Sequence, residues 1–301
     1  MTEEKAIQDI TEFLQTAAKP LLVILGPTAS GKTSLSIKLA KKFDGEVISA
    51  DSRQLYRDME IGTDAISQEK MDGVPHHMVG VLEPNEQFTV AEYKQKSIHI
   101  VNTILRKKKV PILVGGTGLY ISAIVENYEI PQVPPNFELR NQLQKEAEKY
   151  GTEYIYKKLQ EIDPQTAEKI DRHNPRYIMR AIEIKKAGLS KDDTKKKPLF
   201  DHFFIGINRP REELYKRIEK RVDEQVQSGL TEEVEKLMQK GYDETLPAIT
   251  ALGVKELMPY LRGEISLEEA KDQIKQNTRN YAKRQMTWFR RYKDIHWITN
   301  A

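Results

Sequence analysis

The chain has 301 residues, enough for one large domain or two of ordinary size. A net charge of only +3 does not require a polyanionic partner, although local clusters of positive charge still matter. The absence of cysteine excludes disulfides, thiolate zinc sites and cysteine nucleophiles. The acidic, amphipathic N-terminus is unlike a signal peptide, and no apolar run approaches the ~20 residues of a membrane span, so we expect a cytoplasmic protein.

Short apolar runs rich in β-branched residues predict buried strands. They are residues 21–25, 46–50, 110–114, 202–207 and 295–299. The first three are each followed by a turn and then a helical pattern, which is typical of βαβ units. The sequence therefore predicts an α/β core in which helices flank a parallel sheet.

A change in amino-acid composition after the third predicted strand indicates an inserted domain. Residues 129–137 carry three prolines, which exclude a regular helix or a central strand. Residues from about 138 to 190 are strongly helical and highly charged, and the charge run at 191–198 is typical of a solvated loop. We therefore predict an all-helical domain over 133–199, inserted into a core formed by 1–132 and 200–301.

Residues 26–33, GPTASGKT, fit the G-x-x-x-x-G-K-[ST] pattern of a phosphate-binding loop between a strand and a helix. Gly26 and Gly31 permit close backbone approach, and the N–H groups of the loop and helix N-terminus attract phosphate oxygens. Lys32 adds a full positive charge, and the Thr33 hydroxyl is placed to bind Mg²⁺. The pattern predicts a phosphate chain and a cation, and it does not specify ATP.

The end of the second predicted strand carries the segment DSRQLY, residues 51–56. Ligands of open α/β sheets bind outside the carboxyl ends of the strands, so Asp51 should lie near the phosphate loop. Its carboxylate could act as a general base or only cap the next helix, and its position alone does not decide. Arg53 and Gln54 offer hydrogen bonds to a base edge or a phosphate.

The end of the third predicted strand is a second glycine-rich turn, VGGTGLY, residues 114–120. Three glycines around Thr117 leave the backbone bare, which indicates a close ligand. Three strand ends would then present a phosphate loop, a carboxylate and a hydroxyl to one cleft. That arrangement suits transfer of a group from a phosphorylated donor to a nucleophile.

Two basic segments indicate either an RNA partner or solvated helices. Residues 172–180 contain three arginines and a histidine, and residues 279–293 contain six Lys or Arg, no acid and four aromatic residues. Such residues bind phosphates and stack on exposed bases. Either segment alone is more typical of a solvated helix whose aromatic residues pack into the core, but the two together favour RNA.

Two further features of the sequence have competing interpretations. Arg217 and Arg221 share one face of an amphipathic helix predicted over 214–230, where they either reach the cleft or pair with neighbouring acids such as Glu213 and Glu224. His76 and His77 are adjacent and point apart, which argues against a metal site.

The motifs, taken together, resemble one enzyme family. In chain order they are GPTASGKT, DSRQLY, HHMVGV, VGGTGLY, NPRYIMRAIE, LYKRIEKRVDEQVQSGL, ALGVKE and YAKRQMTWFRR. From about residue 20 to 298 the chain resembles the tRNA dimethylallyltransferases (tRNA isopentenyltransferases), which implies a P-loop NTPase-like fold. With no cysteine for the zinc finger of eukaryotic members, the resemblance is to the bacterial form.

The resemblance implies a reaction and its participants. A dimethylallyl group would pass from dimethylallyl diphosphate to N6 of adenosine 37, in tRNAs that read codons beginning with U. The products would be N6-dimethylallyladenosine and diphosphate. The implied cofactor is Mg²⁺, the implied partner is the tRNA anticodon stem-loop, and the implied state is a monomer.

The resemblance also implies roles for individual residues. Asp51 would be the general base, Thr117 would contact the reacting centre, and Arg221 would contact the diphosphate. The diphosphate would bind to Gly26, Pro27, Thr28, Ala29, Ser30, Gly31, Lys32 and Thr33, with Mg²⁺ at Thr33. The tRNA contacts would be Asp51, Ser52, Arg53, Gln54, Thr117, Arg140, Arg172, His173, Asn174, Pro175, Arg176, Lys283 and Arg284. Members often carry an aromatic residue where Val254 stands, which argues against a stacking role there.

Three other functions fit parts of the pattern. A related transferase could act on free AMP or ATP, although the basic segments and the helical insertion favour a large RNA. A P-loop kinase of a nucleoside or small metabolite would share the phosphate loop. A non-catalytic RNA-binding protein with a vestigial loop would bind tRNA without turnover.

Overall fold

The computed structural model describes residues 1–131, 133–189 and 196–299. The chain separates into two compact units, one formed by 1–125 and 198–301 and the other by 126–197. The sequence placed the insertion at 133–199. The second unit begins earlier because Asn127 and Glu129 bond to its far end, where Asn127 Nδ2 donates to the Lys197 carbonyl at 3.0 Å and Lys196 pairs with Glu129 at 2.9 Å. Of the loop predicted at 191–198, residues 191–195 lie outside the described ranges.

A parallel sheet forms the centre of the first unit, and its strands confirm the predicted α/β class. Within the described residues the order is β3-β2-β4-β1-β5-β6, and all neighbouring pairs are parallel. The strands are β1 Pro20–Leu25, β2 Gly45–Ala50, β3 His76–His77, β4 Val110–Gly115, β5 Asp201–Asn208 and β6 His296–Thr299. Strand β3 was not predicted, because two polar residues at a sheet edge carry no hydrophobic pattern.

Helices cover both faces of this sheet, and others build the second unit. In chain order they are α1 Glu3–Thr16, α2 Lys32–Lys42, α3 Glu60–Thr63, α4 Val90–Arg106, α5 Gly118–Val125, α6 Phe137–Tyr150, α7 Thr152–Ile162, α8 Pro164–Lys169, α9 Pro175–Lys186, α10 Arg211–Gln227, α11 Leu230–Gln239, α12 Val254–Leu261 and α13 Leu267–Phe289. None of these described helices combines the length and apolarity needed to span a bilayer.

The two faces of the sheet bury two separate cores because successive side chains of a strand point to opposite sides. In β1, Leu21, Val23 and Leu25 pack in one core, whereas Leu22 and Ile24 pack in the other. Helices α1 and α2 cover the second core, and α4, α5 and α10–α13 cover the first. Burial on both sides explains why the strands are continuously apolar in the sequence.

The helix predicted over 214–230 is confirmed as α10, although it begins and ends three residues earlier. Helix α10 ends at Gln227 and α11 begins at Leu230. Gly229 lies between them with φ +99°, a left-handed conformation that a residue with a side chain rarely adopts.

The second unit is helical, as the sequence predicts. Helices α6 to α9 enclose a core of leucine, isoleucine and methionine side chains, with Leu143, Ile155 and Ile178 at its centre. The proline-rich segment before α6 forms no helix or strand in its described residues. Helix α6 then begins after Asn136, whose side chain accepts a hydrogen bond from the Leu139 amide at 3.0 Å.

Candidate active site

Cationic side chains bind backbone carbonyls of the phosphate loop between β1 and α2. Arg209 Nε donates to the Ser30 carbonyl at 2.7 Å, and Arg217 Nε donates to the Ala29 carbonyl at 2.9 Å. Lys32 Nζ donates to the Pro27 carbonyl at 2.8 Å. With three carbonyls bound in this way, their partial negative charge is neutralised and the loop favours an anion.

The amide groups of the loop complete the anion site. The N–H groups of Gly31, Lys32 and Thr33 donate to no group in the described part of the chain, as is usual for the first turn of a helix. Gly31 has φ +104°, and a Cβ atom at Gly26 would lie 2.8 Å from the Ile207 carbonyl oxygen. Both glycines of the motif are therefore required by the backbone.

The loop forms one wall of a cleft of about 410 Å³, a volume suited to a small ligand. Its charged lining consists of Lys32, Asp51, Asp64, Arg217, Lys220, Arg221 and Glu224. Burial lowers the pKa of Lys32 to about 8, since a charged amine is costly away from water. A bound anion would restore the charged form.

Asp51 lies at the carboxyl end of β2 and lines this cleft. Its Oδ1 atom accepts a hydrogen bond from the Arg53 amide at 2.9 Å, and Oδ2 accepts none from the described residues. No described helix begins directly after Asp51, because the next, α3, starts at Glu60. The structure thus removes helix capping as an explanation of Asp51 and leaves one carboxylate oxygen free.

Residues after Asp51 are mostly engaged within the protein. Gln54 lines the cleft, but its side chain accepts from Ser49 Oγ at 3.0 Å and donates to the Asp64 carbonyl at 3.1 Å. The Arg53 guanidinium donates to the Pro247 carbonyl. These contacts shape the Asp51 turn, and RNA contacts by Arg53 and Gln54 stay predictions.

Thr117 is tied to the same turn. Its amide donates to the Ala50 carbonyl at 3.0 Å, and its Oγ1 atom accepts from the Ser52 amide at 3.1 Å. The ends of β2 and β4 are thereby joined beside Asp51. The proposed role of Thr117 at the reacting centre stays a prediction.

The glycines around Thr117 have protein partners. A Cβ atom at Gly116 would lie 2.0 Å from Gln285 Nε2, and one at Gly118 would lie 2.3 Å from the Trp288 ring. The sequence pattern had indicated a close ligand. The close approach at Gly116 and Gly118 is instead made by side chains of α13.

Arg217 and Arg221 both reach the cleft from α10, but they pair with groups that the sequence analysis did not identify. Arg221 Nη1 lies 3.1 Å from Asp64 Oδ2, and its buried Nε has no hydrogen-bond partner in the described residues. The predicted partner Glu213 pairs with Arg209 instead, at 2.6 Å. Asp64 gave no signal in the sequence, whereas Arg209 follows a predicted strand end and could have been found by that rule.

The basic segment at 279–293 divides into packed aromatic residues and exposed cations. Phe289 is buried, and Trp288 Nε1 donates to Ser122 Oγ at 3.1 Å. Lys283 and Arg284 are exposed on α13. The aromatic residues are thus mainly structural, and the two cations remain candidates for RNA contact.

The other predicted RNA contacts lie in the second unit. Asn174 caps α9 through a 3.2 Å bond to the Arg176 amide, and Pro175 is the first residue of that helix. Arg172, His173 and Arg176 are exposed. The segment therefore presents two cations and a histidine beside a fixed helix start.

Arg140 makes a bidentate ion pair. Its Nε and Nη2 atoms donate to Glu183 at 2.9 and 2.8 Å, and the Glu183 side chain is 1% exposed. Burial opposes ionisation of Glu183, but hydrogen bonds from Arg140, the Asn136 amide and Arg180 lower its pKa overall. Arg140 thus neutralises a buried carboxylate, whatever else it contacts.

Arg140→Ala is expected to destabilise the second unit by about 1–3 kcal/mol, because a buried acceptor loses charged donors. Urea unfolding of the full-length protein measures this change. Arg176→Ala is the matched control, since Arg176 is exposed; it should leave the unfolding free energy unchanged. If Arg140→Ala weakens tRNA binding without any loss of stability, the ion pair is not its main role.

The remaining sequence features have structural roles. His77 Nε2 lies 2.8 Å from Glu46 Oε2, and His76 Nδ1 lies 2.8 Å from the Val74 carbonyl. The described residues contain no group of three His, Cys, Asp or Glu side chains that could hold a metal ion. Val254 is fully buried in the core, so it cannot stack on a ligand.

A phosphate-binding loop, a free carboxylate oxygen and an arginine share one cleft at the carboxyl edge of a parallel sheet. The fold and the site thus define a P-loop-type protein built for group transfer from a phosphorylated donor. A model of the IPP transferase family matches residues 54–292. The chain belongs to the IPP transferase family.

Relatives and solved structures agree with this assignment. The chain is 48% identical over 284 residues to the tRNA dimethylallyltransferase of Halothermothrix orenii, covering 92% of this chain and 87% of that one. It is 40% identical to the tRNA isopentenylpyrophosphate transferase of Bacillus halodurans, whose crystal structure aligns with a TM-score of 0.70 over 93% of this chain and 90% of that one. A eukaryotic dimethylallyltransferase acting on tRNA aligns with a TM-score of 0.77 at 27% identity, over 94% of this chain and 74% of that chain.

Proposed function

We propose that this protein, a prenyl transferase that modifies tRNA, moves the dimethylallyl group of dimethylallyl diphosphate to N6 of adenosine 37. The acceptors are tRNAs that read codons beginning with U. The bond between C1 of the allyl group and the diphosphate oxygen breaks, and a bond between C1 and N6 forms. The observation that carries the proposal is that the free Oδ2 of Asp51 lines the same cleft as the unpaired amides of the phosphate loop.

The leaving group is accommodated by the cations of the cleft. Diphosphate leaves more readily when its developing charge meets preorganised donors, here Lys32, Arg221 and the amides of Gly31 to Thr33. An allyl group carries carbocation character as that bond lengthens, which suits the weak nucleophile N6. The loop thus acts as a cradle for diphosphate, with no phosphoryl transfer.

Asp51 can accept the proton that N6 loses. N6 loses one hydrogen when it is alkylated, and a carboxylate within hydrogen-bonding reach can accept it. The free Oδ2 supplies that acceptor while Oδ1 is held by the Arg53 amide. The products are N6-dimethylallyladenosine, diphosphate and one proton.

The residues present fit a Mg²⁺ ion. The cleft brings together the Thr33 hydroxyl and the Asp51 and Asp64 carboxylates, and Mg²⁺ prefers such oxygen ligands together with phosphate oxygens. We propose Thr33 as the protein ligand nearest the diphosphate. The ion would supply positive charge to the leaving group.

The decisive experiment is mass analysis of an anticodon stem-loop incubated with the protein, dimethylallyl diphosphate and Mg²⁺. The expected product carries one C₅H₈ unit on the adenosine 3′ of the anticodon. Free AMP in a parallel reaction should remain unmodified, and γ-labelled ATP should transfer no label. Prenylated AMP, or a labelled small molecule, would replace this proposal by one of the two rival enzymes.

Arg221→Ala is expected to raise KM for dimethylallyl diphosphate by about tenfold or more, since hydrogen bonds to charged groups contribute about 1.5–3 kcal/mol. The dissociation constant for the stem-loop should change much less, because Arg221 faces the phosphate loop. Steady-state kinetics and a filter-binding assay measure the two quantities. Lys216→Ala is the control from the same helix, since Lys216 is exposed and does not line the cleft. The opposite pattern, weaker RNA binding with normal donor use, would remove Arg221 from the diphosphate site.

We expect a monomer, which sedimentation in the presence and absence of tRNA would test. The absence of cysteine suits a reducing compartment such as the cytoplasm.

A further inference from the structure

Gln285 connects the phosphate loop to the end of β4 through one side-chain amide. Its Oε1 atom accepts a hydrogen bond from the Thr28 amide of the phosphate loop at 2.9 Å. Its Nε2 atom donates to the Gly116 carbonyl at the end of β4 at 3.0 Å. The residue is 4% exposed, and the opposite amide orientation would place donor against donor and acceptor against acceptor.

The surrounding sequence is adapted to this contact. A Cβ atom at residue 116 would lie 2.0 Å from Gln285 Nε2, so glycine at this position leaves room for the glutamine side chain. Trp288, three residues further along α13, lies against Gly118 in the same way and donates to Ser122 Oγ. One face of α13 thus packs against the glycine turn, and the Gln285 amide contacts that turn at Gly116.

The contact reaches Asp51 through a short series of hydrogen bonds. Gly116 precedes Thr117, whose amide donates to the Ala50 carbonyl and whose Oγ1 accepts from the Ser52 amide. Asp51 lies between Ala50 and Ser52. Gln285 therefore links the turn that carries the free carboxylate to the loop that binds the leaving group.

The sheet order explains why such a link is needed. Strands β2 and β1, which carry Asp51 and the phosphate loop, are separated in the sheet by β4. Their loops are joined by no backbone hydrogen bond among the described residues. Gln285 comes from a third element, α13, and holds the loop beyond β1 against the end of β4.

Tyr281 supports the same arrangement from one turn earlier in α13. Its hydroxyl interacts with the Thr117 and Gln285 side chains. Burial, together with the charge of Asp51, raises the pKa of Tyr281 to about 12, so the hydroxyl keeps its proton as a donor. Tyr281 and Gln285 are four residues apart and share one helix face.

We propose that Gln285 is a positioning residue that sets the distance between the diphosphate cradle and the base Asp51. This inference rests on the proposed function. An allyl cation formed beside a correctly placed N6 is captured by nitrogen. If the two halves of the site drift apart, water captures it instead: dimethylallyl diphosphate and water give dimethylallyl alcohol, diphosphate and a proton, as the C1–O bond to diphosphate breaks and a C1–O bond to water forms.

The test compares two variants of Gln285 in single-turnover reactions with saturating stem-loop and labelled donor. Gln285→Met keeps the volume and loses both hydrogen bonds, whereas Gln285→Glu keeps the acceptor for Thr28 and loses the donor to Gly116. Both should transfer about 10- to 100-fold more slowly, the order of loss expected from misplacing reacting groups by about 1 Å. The fraction of donor converted to dimethylallyl alcohol should rise in both, with the melting temperature as a check on folding.

Gln273→Met is the matched control, an exposed glutamine of the same helix, and it should behave as wild type. A transfer rate within twofold of wild type in Gln285→Met would overturn the proposal. Slower transfer with an unchanged alcohol fraction would also overturn it, because it would indicate a general structural role. If Gln285→Met fails to fold, Gln285→Glu decides by the same two criteria. Failure of the wild-type protein to modify the stem-loop would instead refute the proposed function.

Discussion

Asp51→Asn is expected to lower the rate of dimethylallyl transfer by about 10²- to 10⁴-fold, the range for loss of a general base. The amide has the size of the carboxylate and still offers an oxygen to the Arg53 amide, so the turn should persist. What it loses is the ability to accept the N6 proton through the free oxygen. Dissociation constants for the stem-loop and for dimethylallyl diphosphate should therefore change little.

Single-turnover transfer rates, together with binding of each substrate, separate these effects. Asp272→Asn serves as the control because Asp272 is exposed on α13. A near-normal transfer rate in Asp51→Asn would show that solvent or another group takes the proton. A loss of donor binding as large as the loss of rate would place Asp51 among the ligands of the diphosphate and its ion.

Much of the fold could be predicted because the strands are buried on both faces. The alternation of β1 side chains between two cores makes the whole strand apolar, which is a strong signal in a short window. The phosphate loop was predictable because each residue of its motif has a local role. The glycines permit the backbone conformation, and the lysine and threonine bind the anion and its cation. Asp51 followed from its place at a strand end.

The partners of these residues could not be predicted, because they come from distant parts of the chain. Asp64 and Arg221 are 157 residues apart, and Thr28 and Gln285 are 257 residues apart. No periodicity connects such pairs. The glycines at 116 and 118 carried a signal of close approach, but the approaching groups, Gln285 and Trp288, lie in a helix whose docking only the fold reveals.

The basic segments show a similar limit. Their charge pattern favoured an RNA surface, yet the structure pairs Arg180 of the first segment with buried Glu183 and packs Phe289 of the second in the core. A cation next to a buried acid and a cation next to solvent are identical in sequence. The exposed residues Lys283 and Arg284 are therefore better candidates for RNA contact than residues chosen by charge alone.

The protonation of Lys32 should make kcat/KM for dimethylallyl diphosphate depend on pH. Burial lowers its pKa to about 8, and only the protonated amine offers a full charge to diphosphate. As pH rises through 8 the free enzyme loses that charge, so kcat/KM for dimethylallyl diphosphate should fall about tenfold per pH unit above it. Below pH 8 this group stays protonated and contributes no further change. The quantity to measure is kcat/KM, because it reports the free enzyme, whereas bound diphosphate raises the pKa of its lysine.

Two variants test the assignment. Lys32→Met should lower kcat/KM for the donor by about 10²- to 10³-fold, the loss typical of one preorganised donor, and should abolish the fall above pH 8. Lys32→Arg should also lose this fall, because a guanidinium stays charged over the whole range. Circular dichroism at each pH checks that the variants stay folded. If Lys32→Arg keeps the same fall above pH 8, another group titrates there and Lys32 does not control donor capture.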